Sequence, residues 1–245
     1  KAIHSRKTDP RIPEWIGKIR PKNEIEAANI RLIKKSYQKA CKVPPDLDAA
    51  IARTTSKAHS IWASARENED VAEYLPILTE IINLKRQKAE ALAEAGTYYD
   101  ALADEYEPGM STAQISMMFE ELRPTLVSLR KEILAEDRIP SVTGNFGKNI
   151  QLSLAKELAI IFGYDLNKGR IDVAAHPFSS GCGDDVRITT RTDPSDPFNC
   201  IYSTIHEVGH ATYEQNINKD YVFTPLGRGV SLGVHESQSR ILENQ

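Results

Sequence analysis

Cysteine is scarce: Cys41, Cys182 and Cys200 are the three in 245 residues, odd in number and nowhere spaced as CxxC. That excludes a disulfide framework and a thiolate zinc site, and it fits a reducing, cytoplasmic compartment. Cys182, in SGCGDD, reads as an ordinary loop thiol. A basic excess is also missing. Lys and Arg number 31 against 34 Asp and Glu, for a formal net charge of -3, and the signs are mixed along the chain, so nothing favours a nucleic-acid partner. Long apolar runs are lacking as well. No stretch approaches the roughly 20 residues that span a bilayer, and the opening KAIHSRKTDPRIPEWIG has no apolar signal core. Neither an internal repeat nor a low-complexity segment is present. The expectation is a soluble globular protein with no membrane or nucleic-acid partner, whose 40% hydrophobic residues suffice for a packed core.

What is present first is helical patterning. In KNEIEAANIRLIKKSYQKAC, residues 22 to 41, Ile25, Ala28, Leu32 and Ile33 recur at helical spacing, and basic residues gather at the C-terminal end, where they complement the helix dipole. VPP stops that helix. Asp46 then reads as the N-cap of a long helix whose Ile51, Thr55, Ala58, Ile61 and Trp62 form a core-facing stripe. A third helix, VAEYLPILTEIINLKRQKAEALAEA, carries Pro76 near its start and closes at Gly96 as C-cap. A fourth begins at Ser111 as cap and sets Ile115, Met118, Phe119 and Leu122 on one face, expected to be core. His4 and His59 lack partners at metal spacing and read as structural or solvated. Residues 1–140 thus read as a helical bundle part and 141–245 as a catalytic part. The Gly-containing loop at 139–149 lies between them, ahead of the helix IQLSLAKELAIIFGYDL.

The chemistry concentrates in the second part. DDVRITTR, residues 184 to 191, is rich in β-branched residues between turn signals and predicts a strand. Alternation puts Asp185, Arg187 and Thr189 on one face and Val186 and Ile188 on the other. That polar row reads either as an Asp–Arg pair on a solvated edge or as a strand bordering a cleft, orienting substrate or bracing a metal ligand. His176, in AAHPFSSG, precedes a proline and is biased out of the α-helical region. Its place ahead of the strand makes it a cleft candidate rather than a ligand.

IYSTIHEVGHATYEQ, residues 201 to 215, carries HExxH. An α-helix turns about 100° per residue, so His206 and His210 stand on one face and can share an ion, with Glu207 placed to activate water there. A catalytic zinc needs a third protein ligand and an open position. Glu236, opening a helix in GVHESQSR after the turn PLGRGVSLG, supplies it. His235 points about 100° away on that helix and reads as a substrate-contacting or ligand-bracing group. Two neutral imidazoles and one carboxylate leave net positive charge on the ion, suited to polarising a scissile carbonyl and acidifying water. Glu207 would take the proton and pass it to the leaving amine, so peptide-bond hydrolysis is the expected reaction.

With HPF at 176–178, DVRIT at 185–189, HEVGH at 206–210 and HESQ at 235–238 in order, the sequence resembles the carboxypeptidase Taq family of thermostable metallocarboxypeptidases, of the gluzincin type. The similarity extends upstream through ARENED, YYDALADEYEPGM and GRIDVAAHPF. The resemblance implies a mainly α, helical zincin-type metallopeptidase fold with a deep groove and a small β element near the active site. It also implies zinc or cobalt as cofactor, broad release of C-terminal residues from peptides with a free C-terminus, and a homodimer. By the same resemblance His206, His210 and Glu236 are the metal ligands and Glu207 the general base. Gln238, closing HESQ, joins His176, Asp185, Arg187, Thr189 and His235 as a substrate-binding or ligand-bracing candidate. Family members are about twice as long, and their later motifs, including an arginine for the substrate carboxylate, are absent here. The sequence is therefore expected to be part of a longer chain, one domain truncated at both ends. Two alternatives to a carboxypeptidase stay open: a zincin endo- or oligopeptidase, and an inactive metal-binding fragment lacking the carboxylate clamp.

Overall fold

A computed structural model describes residues 1–93, 97–136 and 142–244. The expected C-cap Gly96, residues 139–141 of the loop and the expected division at 140/141 lie outside the described residues. By internal contacts the chain forms two compact units, Lys1–Ser116 and Met117–Gln245. Among the described residues the architecture is ten α-helices and one three-stranded sheet, the mainly α class with a small β element that the resemblance implies. No helix among the described residues is long and apolar enough to cross a membrane.

The first unit is built on α1 (Ala2–Lys7), α2 (Arg11–Lys18), α3 (Glu24–Lys42), α4 (Pro45–Glu67), α5 (Val71–Leu92) and α6 (Tyr98–Ala103). Asn23 caps α3 by accepting from the Glu26 amide. The buried positions of α4 are Ala49, Thr54, Ala58 and Ala65, small side chains that let α5 approach closely, and Thr54 donates to Glu80 Oε1 at 2.9 Å across that contact. Two expectations about α4 are corrected. The helix starts one residue earlier than Asp46, because Pro45 at the first helical position has no N–H to satisfy; Asp46 lies in the first turn and pairs with Lys1 at 2.9 Å. Thr54, not Thr55, faces inward, while the exposed Thr55 hydroxyl bonds back to the Ile51 carbonyl at 2.8 Å. On α3, Ile25 and Ile33 are exposed and only Ala28 and Leu32 of the expected stripe are partly covered. His4 is buried, its Nε2 2.9 Å from the Val43 carbonyl oxygen, tying α1 to the end of α3.

Polar contacts lock the end of this unit. Thr97 and Asp100 form a reciprocal capping box for α6, and Asp100 also accepts from the amide and hydroxyl of Thr112. Asp104 receives Lys35 at 3.1 Å, Lys39 and the Gly109 amide. Helix α7 (Thr112–Ala135) starts with Ser111 and Gln114 hydrogen-bonded to each other. Its expected core face is a correction: no described residue of α7 is buried, and Met118, Phe119 and Leu122 are exposed. Helical periodicity shows that one face is apolar, not what covers it.

The second unit continues from α7 through α8 (Lys148–Ile161), β1 (Ile171–Val173), β2 (Ser179–Cys182), β3 (Asp185–Thr190), α9 (Pro197–Gln215) and α10 (Leu232–Asn244). The expected strand is β3, and β1 and β2, which patterning did not separate from loop, flank it in the order β1-β3-β2. β1 runs parallel to β3 and β2 antiparallel to it, so Cys182 ends a strand opposite Asp185 rather than lying in a loop. As expected from alternation, Val186 and Ile188 are fully buried while Asp185 and Arg187 are exposed. Val186 and Ile188 pack with Ala159, Tyr164, Val208 and Ala211, joining sheet, α8 and α9 in one core; each aliphatic side chain so buried contributes about 1.5–3 kcal/mol.

Helix α9 is held at both ends. Asp196 accepts from the amides of Phe198 and Asn199, with Pro197 in the first turn. At the other end the Gln215 amide exchanges hydrogen bonds with both backbone groups of Asp165 at 3.0 Å. Between them, the buried Thr190 and Thr204 hydroxyls meet at 2.9 Å, tying β3 to α9. These anchors fix the register of the helix that carries HExxH.

The Asp104 knot of the first unit gives a pH test. Burial pushes its carboxyl up, but Lys39, the Gly109 amide and Lys35 outweigh it and bring the value down to about 2. A carboxyl lowered on folding stabilises above its unfolded value, about 4, and loses that contribution as pH falls through the folded one. Asp104→Asn is therefore expected to lower the midpoint of thermal unfolding at pH 7 by a few degrees, with the difference closing by about pH 2. Parallel melts at the two pH values measure it.

Candidate metal centre

The site lies where α9 crosses α10. Helix α9 carries no side chain at the crossing point: a Cβ on Gly209 would stand 2.4 Å from Ser239 Cα and 2.7 Å from the Gln238 carbonyl oxygen. Glycine inside a helix costs about 1 kcal/mol relative to alanine, and here it permits the close approach. Ser239 is fully buried at the contact and its hydroxyl turns back to the Glu236 carbonyl at 2.7 Å.

At that separation Glu236 reaches the two imidazoles one turn apart on α9. Glu236 Oε2 lies 3.3 Å from His210 Nε2 and 3.7 Å from His206 Nε2, and one ligand atom from each of the three residues falls within 4.8 Å of the others. Four ligands about 2.1 Å from a tetrahedral ion are separated by about 3.4 Å, so the donor set fits a small divalent cation with three protein ligands. Both δ nitrogens face away from this point and are engaged elsewhere. His206 Nδ1 donates to Glu243 Oε2 at 3.0 Å. His210 Nδ1 meets His235 Nδ1 at 2.6 Å, and His235 Nε2 meets Glu214 Oε1 at 2.9 Å.

The carboxylates at the ends of these chains fix the protons. Glu214 and Glu243 only accept, so His235 carries its proton on Nε2 and accepts on Nδ1, His210 and His206 carry theirs on Nδ1, and both Nε2 lone pairs face Glu236. Burial first, then the neighbouring His235 and His206, holds His210 below the ordinary imidazole value, which keeps it neutral near pH 7. On Glu236 the other oxygen, Oε1, accepts from Arg240 Nε at 3.1 Å.

Glu207 sits beside this cluster and is 6% exposed. Burial pushes its carboxyl up to about 7, His206 pulls it down and Glu236 pushes it up again. A carboxyl poised there can take and return a proton near neutral pH.

The remaining sequence candidates stand differently. His235 braces His210. Thr189 is buried, and its hydroxyl accepts from the Phe178 amide at 2.9 Å, holding the HPF segment against β3. His176 is exposed, and its carbonyl takes a long 3.5 Å bond from Thr189. Asp185 and Arg187 bond each other at 2.8 and 2.9 Å on an exposed face. Among the described residues the Gln238 side chain reaches the Ser237 hydroxyl at 3.3 Å, and its backbone carbonyl is the part that meets α9. Glu214, Arg240 and Glu243 were not singled out from the sequence. A signal for them exists: Glu214 is four residues beyond His210, and Arg240 and Glu243 are four and seven beyond Glu236, each on the face of its ligand.

The sequence and the fold have counterparts among known proteins. The family model described as carboxypeptidase Taq (M32) metallopeptidase matches residues 1–245. Thermostable carboxypeptidase 1 of Thermus thermophilus is 40% identical in an alignment that covers 100% of this chain and 52% of that protein. Among solved structures, BsuCP is 33% identical with a TM-score of 0.93, covering 99% of this chain and 50% of that one. A Pyrococcus furiosus carboxypeptidase is 36% identical with a TM-score of 0.86, covering 98% and 50%. The chain thus spans about half the length of the relatives it matches.

The crossing supplies a mutational test. Gly209→Ala places a methyl group against Ser239 Cα, and overpacking of this kind costs about 1–3 kcal/mol. The variant is expected to unfold at lower temperature without metal and, because α10 must retreat and take Glu236 with it, to bind zinc more weakly. Thermal melts and a zinc titration check the two effects.

Proposed function

The chain belongs to the carboxypeptidase Taq (M32) family of metallopeptidases, and from that premise we propose that it carries the catalytic centre of a metallocarboxypeptidase acting on peptides with a free C-terminus. The observation that carries the reading is the convergence of His206, His210 and Glu236 with a buried Glu207 beside them. His206 and His210, through Nε2, and Glu236, through Oε2, would hold the ion. A zinc or cobalt ion there would supply Lewis acidity, polarising a scissile carbonyl and making water more acidic.

The rest of the chemistry falls to the protein. Glu207, the general base, accepts the proton of the attacking water and then delivers it to the departing amine, a task suited to a carboxyl shielded from solvent. Its dry setting strengthens each electrostatic contact made there. His235, with Glu214 behind it, keeps His210 in the ligating tautomer. Thr189 fixes the approach of the HPF segment to the strand, which supports a role for residues 176–178 in lining the substrate path, with His176 at its exposed end. Broad tolerance of the released side chain, a homodimeric assembly and a cytoplasmic setting complete the proposal. The last agrees with three thiols that form no disulfide.

A peptide with a free C-terminus and its C-terminally amidated twin, each incubated with zinc-loaded protein and read by mass spectrometry, test the reading. Stepwise loss of terminal residues from the free peptide alone is expected. Glu207→Gln should lower that rate by at least about 100-fold while the protein still binds one equivalent of zinc. Internal cuts in both peptides would replace the proposal with an endopeptidase. Bound zinc without cleavage of either would replace it with a metal-binding segment that lacks its own substrate clamp.

A further inference from the structure

We infer that Arg240 and Glu243, one and two turns beyond Glu236 on α10, are positioning residues: Arg240 restricts Glu236 to a single ligating oxygen, and Glu243 fixes the tautomer and orientation of His206. The inference rests on the metal-centre reading above and goes beyond it by assigning a task to two residues outside the HExxH and HESQ motifs.

The argument is geometric. Arg240 presents its guanidinium to both carboxylates, donating from Nε to Glu236 Oε1 at 3.1 Å and from Nη1 to Glu243 Oε2 at 2.8 Å. With Oε1 engaged by Arg240, Glu236 presents Oε2 to the imidazoles, at 3.3 and 3.7 Å, which favours a four-coordinate ion over a bidentate, five-coordinate one. The same Glu243 oxygen that receives Arg240 also accepts the His206 Nδ1 proton at 3.0 Å. A carboxylate in that position cannot donate, so the His206 lone pair must lie on Nε2, toward the ion.

An ordinary helix-surface ion pair does not account for this arrangement. Pairs at three- and four-residue spacing add only a few tenths of a kcal/mol to a helix, and such side chains sit in water. Arg240 is 56% exposed, as a surface pair would be, but the Glu243 side chain is only 20% exposed and is directed across to α9. Its partner there is a ligand imidazole. The three side chains on one stripe of α10, at positions 236, 240 and 243, therefore act as one unit: a ligand, a clamp on the ligand, and a brace for the ligand opposite.

The test uses the full chain and zinc ion alone, with affinity measured by competition against a chromophoric chelator. Glu243→Ala is expected to weaken zinc binding by about 10–100-fold without lowering the melting temperature of the metal-free protein. Glu243→Gln, whose amide oxygen can still accept from His206, should recover part of that loss. Arg240→Ala frees Oε1 to join the ion. In the cobalt-substituted protein it should weaken the visible absorption bands, the sign of a coordination number above four. Wild-type affinity in Glu243→Ala together with an unchanged cobalt spectrum in Arg240→Ala would overturn the inference. So would a fall in metal-free melting temperature of the same size in Glu243→Ala and Glu243→Gln, which marks a structural prop only. If His206→Ala binds zinc as tightly as the wild type, the metal-centre reading itself fails, an outcome distinct from failure of the brace.

Discussion

The approach of α10 to α9 at Gly209 is the constraint on which the site depends. Ligand atoms on two separate helices must come within a few ångström of one point, and ordinary side chains at a crossing keep helix axes 8–10 Å apart. With no Cβ at Gly209 and the small Ser239 opposite, the backbones meet closely enough for a glutamate on one helix to reach two imidazoles on the other. The propensity cost of a helical glycine is local and modest; the benefit is a donor set whose spacing suits a small divalent cation.

That crossing is positioned by everything packed behind α9. Val186 and Ile188 of β3, with Ala159 and Tyr164, bury the face of α9 opposite α10, while the Tyr164 hydroxyl donates to the Val186 carbonyl at 2.7 Å. Asp196 at one end and Gln215 at the other stop the helix from sliding. The sheet's contribution to that core is two fully buried aliphatic side chains, Val186 and Ile188. Burial on that side and polar relays on the other give α9 two chemically different faces, and Glu207 lies on the dry margin between them.

Each candidate ligand is hydrogen-bonded to a group that leaves it one orientation. A carboxylate stands behind each histidine, directly at His206 and through His235 at His210, and a guanidinium stands behind Glu236. Because carboxylates only accept and guanidinium only donates, the proton positions follow from the partners. Such preorganisation is how a site holds its geometry to fractions of an ångström, and Glu214, Arg240 and Glu243 share one hydrogen-bonded network with the motif residues.

The sequence by itself determined the helices at 24–42, 45–67 and 71–92 to within a few residues, the strand at 185–190 with its inward Val186 and Ile188, and the pairing of His206 with His210, because all of these follow from periodicities of 3.6 and 2 residues along one element. The spacing also pointed to Glu236, and it set His235 off that ligand's direction as a substrate-contacting or ligand-bracing group. Other features were decided only in three dimensions. β1 and β2 are three and four residues long and exist by pairing with β3. Thr54 replaced Thr55 on the inner face because a one-residue shift in a helix is settled by what packs against it. The apolar face of α7 was legible as a face, but its cover was not, since amphipathicity records a preference for burial and carries no address. Glu243 meets His206 across 37 residues of chain, a contact with no local signature, created by the angle at which two helices cross over a glycine.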